Sequence, residues 1–409
     1  MKKLRIGIWA VLSLLAMTSC FKDADFSPVP GESGGRQQPG RLPSEETRQV
    51  MVMYSAGFNS LSGALTTDLL ELENGFVPTA QSRADHILLV FSRHTYSGYG
   101  TPVAPVLYRL YKDREGEVVR DTLLRWKPED QACDPAVMRE VMEFARNKFP
   151  AKGYGMVISS HGAGWIPEHT TPQASVKSIG QDADTDHVRE LEIPDFVDAL
   201  PYKLDYILMD ACFMACVEVA WALRDKAGVI GFSPTEIMSD GFNYHTLTQR
   251  LLASEPDALG VCKDYFIQYS SKTEEKDRNA TITLVNTGAM EPLADICKTL
   301  FERYRESIAA LKTSQVQRYY RQGLNRRHEH LFDLRHMLEQ AGASASEMEQ
   351  VDAALKACVL YEAHTDHFMS LDLNNVCGLS VYMPSSGDAD LTRYYQNYVE
   401  WNNATQLIR

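Results

Sequence analysis

Apolar residues come along this chain in two rhythms. Short continuous runs, "RQVMVMYSAG" from Arg48, "ADHILLVFSRH", "YGMVISSHG", "LDYILMDAC" and "GVIGFSP", predict strands buried on both faces. Between them stand segments of helical spacing. "SLSGALTTDLLELENG" is one, and "DPAVMREVMEFARNKFP" is a second, with Asp134 at its N-cap, Pro135 in the first turn, and Val137, Val141 and Phe144 on one face. "EIPDFVDALP" and "MACVEVAWALRDKA" complete the helical set of this half, and "VAPVLYRLYKD" with "EVVRDTLLRW" predicts a β-ribbon turning at Arg114–Gly116. Strand and helix in alternation imply an α/β fold: a mostly parallel sheet with helices on both faces. Ligands of such sheets bind beyond the carboxyl ends of the strands.

From about Pro256 the segments lengthen and become α-rich. "DALGVCKDYFIQYSSK", "EPLADICKTLFERYRESIAAL" and "EMEQVDAALKACVLYEAHT" are expected helices, with "ATITLVNT" and "CGLSVYMP" as strands. This part is either a second lobe or an extension of the same sheet. The expected organisation is residues 1–20 as a signal, 21–47 as a flexible tether rich in Pro, Gly, Ser and charge, 48–255 as the core of the domain, and 256–409 as its C-terminal extension.

Composition changes the picture little: 44% hydrophobic and 23% charged residues over 409 positions describe a folded globular chain. A net charge of −13 without any long basic cluster argues against nucleic acid as partner. The first twenty residues have a basic start and an apolar stretch, Ile6 to Met17, too short to span a bilayer comfortably. Their ending, "AMTSC", resembles a bacterial lipoprotein signal, in which Cys20 is acylated and becomes the new N-terminus. Two or three acyl chains there would anchor the protein stably, at roughly 0.8 kcal/mol per buried CH₂. Asp23 and Asp25 resemble surface-export signals of some Gram-negative lipoproteins, so the expected location is the outer membrane or cell surface.

Seven cysteines follow Cys20, an odd number that leaves at least one thiol unpaired. They are scattered, and no pair of C-x-x-C motifs suggests a structural zinc site. Cys262 and Cys297 read as small buried apolar residues. Two strand ends carry chemistry. "MVISSHG" ends in His161 beside glycine, and "YILMDAC" ends in Cys212 before an expected helix. A thiol at a helix N-terminus is favoured as thiolate, and a histidine from a neighbouring strand end can serve as base and proton shuttle. Backbone N–H groups at Gly162 and Cys212 could receive the oxyanion of an acyl-transfer intermediate.

These segments resemble the clostripain family of cysteine peptidases, relatives of caspases, gingipains and legumain. The family's His-Gly-x-Gly-Trp stands as His161-Gly162-Ala163-Gly164-Trp165. Its Asp-Ala-Cys-x-Met stands as Asp210-Ala211-Cys212-Phe213-Met214, followed by Glu218 and Ala220. The histidine precedes the cysteine by 51 residues, in keeping with the wider group's spacing of roughly 50. The resemblance implies a caspase-like fold and a cysteine endopeptidase with Cys212 as nucleophile and His161 as general base and acid. It also implies Asp210 at the base of a pocket for Arg or Lys before the scissile bond; the competing reading of Asp210 is an N-cap for the next helix. Asp240 is a possible second pocket carboxylate, set against a solvated turn aspartate. Around it Ser233, Glu236, Gly241 and Tyr244 match the family, while Phe232, Met238, Ser239 and Phe242 depart from it.

Family members often cut themselves between histidine and cysteine. The polar stretch there implies cleavage after Lys177, with Arg189 second. No metal ligand set is assigned. Asp182, Asp184 and Asp186 could bind calcium, but they lack the glycine and distal glutamate of an EF-hand loop. His364, Asp366 and His367 make a loose metal pattern, and Arg326 to His330 reads as a solvated helix face. Expected partners are peptides or proteins with Arg or Lys before the cut bond, and a membrane through the lipid. The rival reading is a catalytically silent surface lipoprotein that binds peptides on a peptidase scaffold. A third is an amide hydrolase or transpeptidase of the same mechanism.

Overall fold

Strand β1 (Gln49–Gly57) is buried along its whole length, and its side chains alternate between two cores. Val50, Val52 and Tyr54 enter one hydrophobic cluster, Met51 and Met53 the other. That alternation is the period of two expected of a strand covered on both faces. The computed structural model describes residues 48–81, 85–94, 103–167, 179–183, 188–321 and 329–409.

The strands that follow are β2 (Ile87–His94), β3 (Val106–Lys112), β4 (Val118–Arg125), β5 (Gly153–Ser159), β6 (Ile179–Ala183), β7 (Val188–Leu191), β8 (Leu204–Asp210), β9 (Ala227–Phe232), β10 (Thr281–Asn286), β11 (Leu331–Asp333) and β12 (Val359–His364). Nine of them form one sheet in the order β12-β10-β9-β8-β5-β1-β2-β3-β4. The central five, β9 to β2, run parallel, and antiparallel strands flank them on each side. The order reverses between β1 and β5, which pair with each other but lead away in opposite directions. A crevice opens beyond the carboxyl ends of strands at such a switch point.

The first six helices are α1 (Ser62–Asn74), α2 (Pro135–Lys148), α3 (Ile193–Ala199), α4 (Val217–Ala222), α5 (Tyr244–Leu251) and α6 (Ala258–Ser270). The rest are α7 (Glu291–Arg303), α8 (Arg305–Ala310), α9 (Leu334–Gln340), α10 (Ala345–Cys358), α11 (Ala389–Tyr398) and α12 (Glu400–Thr405). Apolar residues of α1, α5 and α6 pack into one core; those of α2, α3, α4, α7 and α10 pack into the other. Helix α2 starts as its sequence requires, Asp134 accepting the Ala136 N–H with Pro135 in the first turn.

In the C-terminal part, β10 and β12 lie in the same sheet as the preceding strands, and α6 and α7 cover its opposite faces. Three expected helices are shorter than their spacing implied. The third C-terminal one ends at Cys358, and Val359–His364 turns into the edge strand β12 on β10. β-branched and aromatic residues there favour a pleated surface, and the strand satisfies the open edge of β10. "EPLADICKTLFERYRESIAAL" breaks at Tyr304 into α7 and α8, and α4 covers six residues. The polar stretch before Glu192 contains a small ribbon of β6 and β7.

Candidate active site

The sheet brings the two expected residues together by register. Ser159 of β5 pairs with Asp210 of β8, so His161 and Cys212 each emerge two residues beyond the same hydrogen-bonded level. Both line a cavity of about 370 Å³ that also takes in Asp68, Asp210, Glu236, Ile237 and Arg321. The two turns touch: a Cβ on Gly162 would lie 2.6 Å from the Cys212 carbonyl oxygen. Glycine is therefore required at 162 by close approach. Ser60 Oγ lies 2.8 Å from His161 Nε2 and orients the ring from the end of β1.

Cys212 does not sit at a helix N-terminus, as its sequence context suggested. Helix α4 begins at Val217 with Cys216 as its N-cap residue, and residues 211–216 make an irregular turn. Phe213 adopts φ 61°, a left-handed conformation that costs a non-glycine residue roughly 1–2 kcal/mol. The turn is held by Phe213 N–H to Thr235 C=O (2.8 Å) and Ala215 N–H to Ser233 C=O (2.9 Å). Without the helix dipole, burial dominates and pushes the Cys212 thiol up to about 12. The Ile237 N–H, donating to Sγ at 3.4 Å, works against this, and Glu236 and Asp210 add to it. Arg321 sits nearby but is held bidentately by Glu236, at 2.8 Å for both bonds.

Asp210 is not an N-cap. Its Oδ2 accepts the Tyr244 hydroxyl at 2.6 Å and, more weakly, the Phe242 N–H at 3.4 Å. Gly241, at φ +56°, lets the chain pass so close that a Cβ would meet Asp210 Oδ2 at 2.3 Å. Burial raises the Asp210 carboxyl to about 6 despite these donors. Asp240 does not join Asp210 inside: its side chain is 65% exposed and pairs with Lys272 at 3.4 Å. The buried carboxylate that shares the cavity with Asp210 is Asp68 of α1, 3% exposed. Its sequence signal was one acidic residue on the apolar face of α1, flanked by Leu65, Leu69 and Leu72. Ser60, Arg321 and the role of Tyr244 carried no signal, because only the fold brings them to the strand ends.

Other marked residues prove structural. Glu218 Oε1 accepts the Tyr382 N–H and the Tyr395 hydroxyl, each at 2.9 Å, tying α4 to the "GLSVYMP" strand. Trp165 packs edge-on against the same two rings. Asp182 forms a fully buried ion pair with Arg93 at 2.7 Å and accepts from the Cys133 N–H. It thus fastens β6 to β2, whereas Asp184 and Asp186 lie outside the described residues. His364 pairs with Glu362 in β12. His330 is not on a solvated helix face: it bonds Ser386 Oγ at 3.0 Å beside Tyr382, and Arg326 and Arg327 fall outside the described residues. The seven described cysteines are all free thiols, with Cys262 and Cys297 fully buried. Cys20 and Lys177 are likewise outside the described residues. No group of three or more His, Cys, Asp or Glu suited to a metal occurs among the described residues.

The clostripain family model matches residues 53–407, nearly the whole described chain. The chain belongs to the clostripain family of cysteine peptidases. Clostripain of Hathewaya histolytica is 24% identical over 280 residues, 62% of this chain and 51% of that protein. The chain thus spans about half the length of the curated relative it matches. An inactive zymogen C11 protease from Parabacteroides distasonis superposes with a TM-score of 0.74 at 25% identity, over 89% of this chain and 99% of its own. A secreted C11 cysteine protease from Bacteroides thetaiotaomicron, solved with an irreversible peptide inhibitor, gives 0.72 at 26% identity, over 88% and 98%. The caspase-like α/β fold expected from the two motifs is the fold found.

Proposed function

We propose that this clostripain-family protein is an exported, lipid-anchored endopeptidase cutting after Arg or Lys, with Cys212 as nucleophile and His161 as general base and acid. The observation that carries the reading is the β5–β8 register, which sets both residues over one cavity with buried Asp210 in its wall. Clostripain itself, and a secreted relative that holds a peptide inhibitor, support the class of substrate.

The chemistry follows from the groups present. Cys212 Sγ attacks the scissile carbonyl carbon as its proton passes to His161. The oxyanion is received by the N–H groups of Gly162 and Cys212, each such donor giving about 10²–10³ in rate. The C–N bond breaks as His161 returns the proton to the leaving amine, and a thioester remains. Water, losing its proton to His161, then attacks the thioester and frees the acid and the thiol. Burial raises the free thiol, so transfer of its proton to His161 is what generates the attacking thiolate. A cationic side chain docks on Asp210, where a charge-assisted bond in a partly desolvated cleft is worth more than in water.

Self-cleavage is placed after Lys177, with Arg189 second, and the membrane anchor at Cys20. Arg and Lys fluorogenic peptides should be hydrolysed by wild type and not by Cys212→Ala. Activity surviving in that variant would refute the nucleophile, and cleavage restricted to Asp, Asn or Leu reporters would refute the basic pocket. Two bands on a denaturing gel for wild type against one for Cys212→Ala would support self-cleavage. Movement of Cys20→Ala from the membrane to the soluble fraction would support the anchor.

A further inference from the structure

Asp68 is a carboxyl where packing alone would place a leucine. It lies on the inward stripe of α1 with Ser62, Leu65, Leu69 and Leu72, and aspartate is a poor residue for a helix interior. Its side chain is 3% exposed, and Oδ2 has no hydrogen-bond donor. A buried acceptor left unmet costs about 1–3 kcal/mol; Glu218 Oε2 is another such atom, and what sets Asp68 apart is its place. The unmet atom belongs to a residue lining the cavity that holds His161, Asp210 and Cys212.

We propose that Asp68 is a specificity-determining residue: it forms a second anionic wall facing Asp210, and a cationic side chain enters between them as the pair gives up one proton. The inference rests on the basic-residue reading of this pocket. Asp210 alone is a poor match for such a guest. One of its oxygens already accepts from Tyr244 and Phe242, while an ammonium brings three donors and a guanidinium five. Asp68 Oδ2 supplies the spare acceptor. Arg321, a cation lining the same cavity, is committed to Glu236 and does not neutralise the pair.

In the empty pocket two carboxyls cannot both ionise cheaply. Burial, then Asp210, Glu71 and Asp240, raise Asp68 to about 9, against about 6 for Asp210. Near neutral pH the coupled pair thus holds one proton between its two carboxyls. Entry of R–NH₃⁺ or a guanidinium converts the carboxyl to a carboxylate–cation pair, and the proton leaves to solvent. The titratable groups around Asp68 are Glu71 on its own helix, Asp210 from β8, Asp240 with Lys272 at the rim, Tyr244 from α5 and Tyr269 from α6. None is a cation in direct contact with Asp68 Oδ2.

The test uses the full chain, with competent sites counted by iodoacetamide titration of Cys212. Matched peptides carry Arg, Lys or the neutral isostere citrulline before the scissile bond. Asp68→Asn should raise KM for Arg and Lys peptides about 10–100-fold, shrink the Arg-over-citrulline preference by the same factor, and move kcat far less. Wild-type kcat/KM for Arg should climb with pH toward 9, and that rise should vanish in the variant, which lost packing alone would not produce. Independently of any variant, agmatine binding to wild type, measured by calorimetry in two buffers of different ionisation heat, should release about one proton at pH 7.5. Unchanged KM and pH profile in Asp68→Asn, or agmatine binding without proton release, would overturn the assignment of Asp68 while leaving Asp210 in place. A wild type that processes peptides but prefers citrulline to Arg would overturn the basic-residue reading itself.

Discussion

Two buried carboxylate sites in this molecule differ in a way that separates scaffolding from recognition. At the junction of β11 and α9, Asp333 is 1% exposed and fully engaged. It accepts from the His336 N–H (2.8 Å), the Tyr319 hydroxyl (2.7 Å) and the Cys377 N–H (2.6 Å). At the cleft, Asp210 and Asp68 are 6% and 3% exposed, yet Asp210 has one strong donor and Asp68 Oδ2 has none. Burial is alike; satisfaction is not. Folding explains the first site completely, because each oxygen regains the hydrogen bonds it lost to water. It leaves the second site short of donors, which the proposed cationic guest would bring.

The comparison breaks most visibly if the two sites are neutralised in turn. Asp210→Asn removes the charge that meets the guest, and kcat/KM for Arg and Lys peptides should fall about 10³-fold, or some 4 kcal/mol. Its melting temperature should change little, which a paired activity and calorimetry measurement would check. Asp333→Asn should do the reverse. It puts an amide donor against the Tyr319 hydroxyl and the Cys377 N–H, and stability should drop by about 3 kcal/mol. Its Arg, Lys and citrulline ratios should stay at wild-type values per competent site. A variant at 333 that shifted specificity, or one at 210 that only melted, would dissolve the distinction.

Stability against pH sharpens it. A carboxyl whose folded pKa is raised contributes stability that is full below its ordinary value near 4 and is lost as pH rises through the folded value. For Asp68 that loss runs from about pH 4 to 9, and for Asp210 it ends near 6. Wild type should therefore melt lower at pH 9 than at pH 6, and Asp68→Asn should flatten that slope. Asp333 is also raised by burial, with its three donors opposing the rise, so its contribution too is lost as pH climbs from about 4.

How much of this was legible in the sequence follows the range of the interactions involved. Alternating apolar runs fixed the parallel strands and their covering helices, since both signals are local. His161 and Cys212 were legible because each closes a strand, and parallel neighbours put strand ends side by side. The state of the thiol was not: residues 211–216 form a turn around Phe213, and the helix expected from Met214 begins only at Val217. Edge strand β12 was hidden behind a helical pattern, because only its pairing with β10 makes Val359–His364 extended. Asp68 stands 142 residues from Asp210 in the chain (210 − 68), and no spacing rule links a carboxyl on α1 to one ending β8.

Asp240 gives the smallest effect and the most direct check on which acid is the second wall. In the sequence it stood beside Asp210 as a pocket candidate; in the fold it looks outward, 65% exposed, toward Lys272. An exposed ion pair of this kind contributes about 0–1 kcal/mol, screened further by salt. Asp240→Asn should therefore raise KM for Arg and Lys peptides by less than about threefold, through loss of long-range attraction at the rim, and that change should fade as ionic strength rises. Asp68→Asn should act through direct contact and keep most of its effect in high salt. Measuring both variants at low and high ionic strength ranks the two acids on one scale. An Asp240 effect larger than that of Asp68, and insensitive to salt, would mean that the loop of Ser239–Gly241 turns inward on a bound substrate and carries the second charge after all.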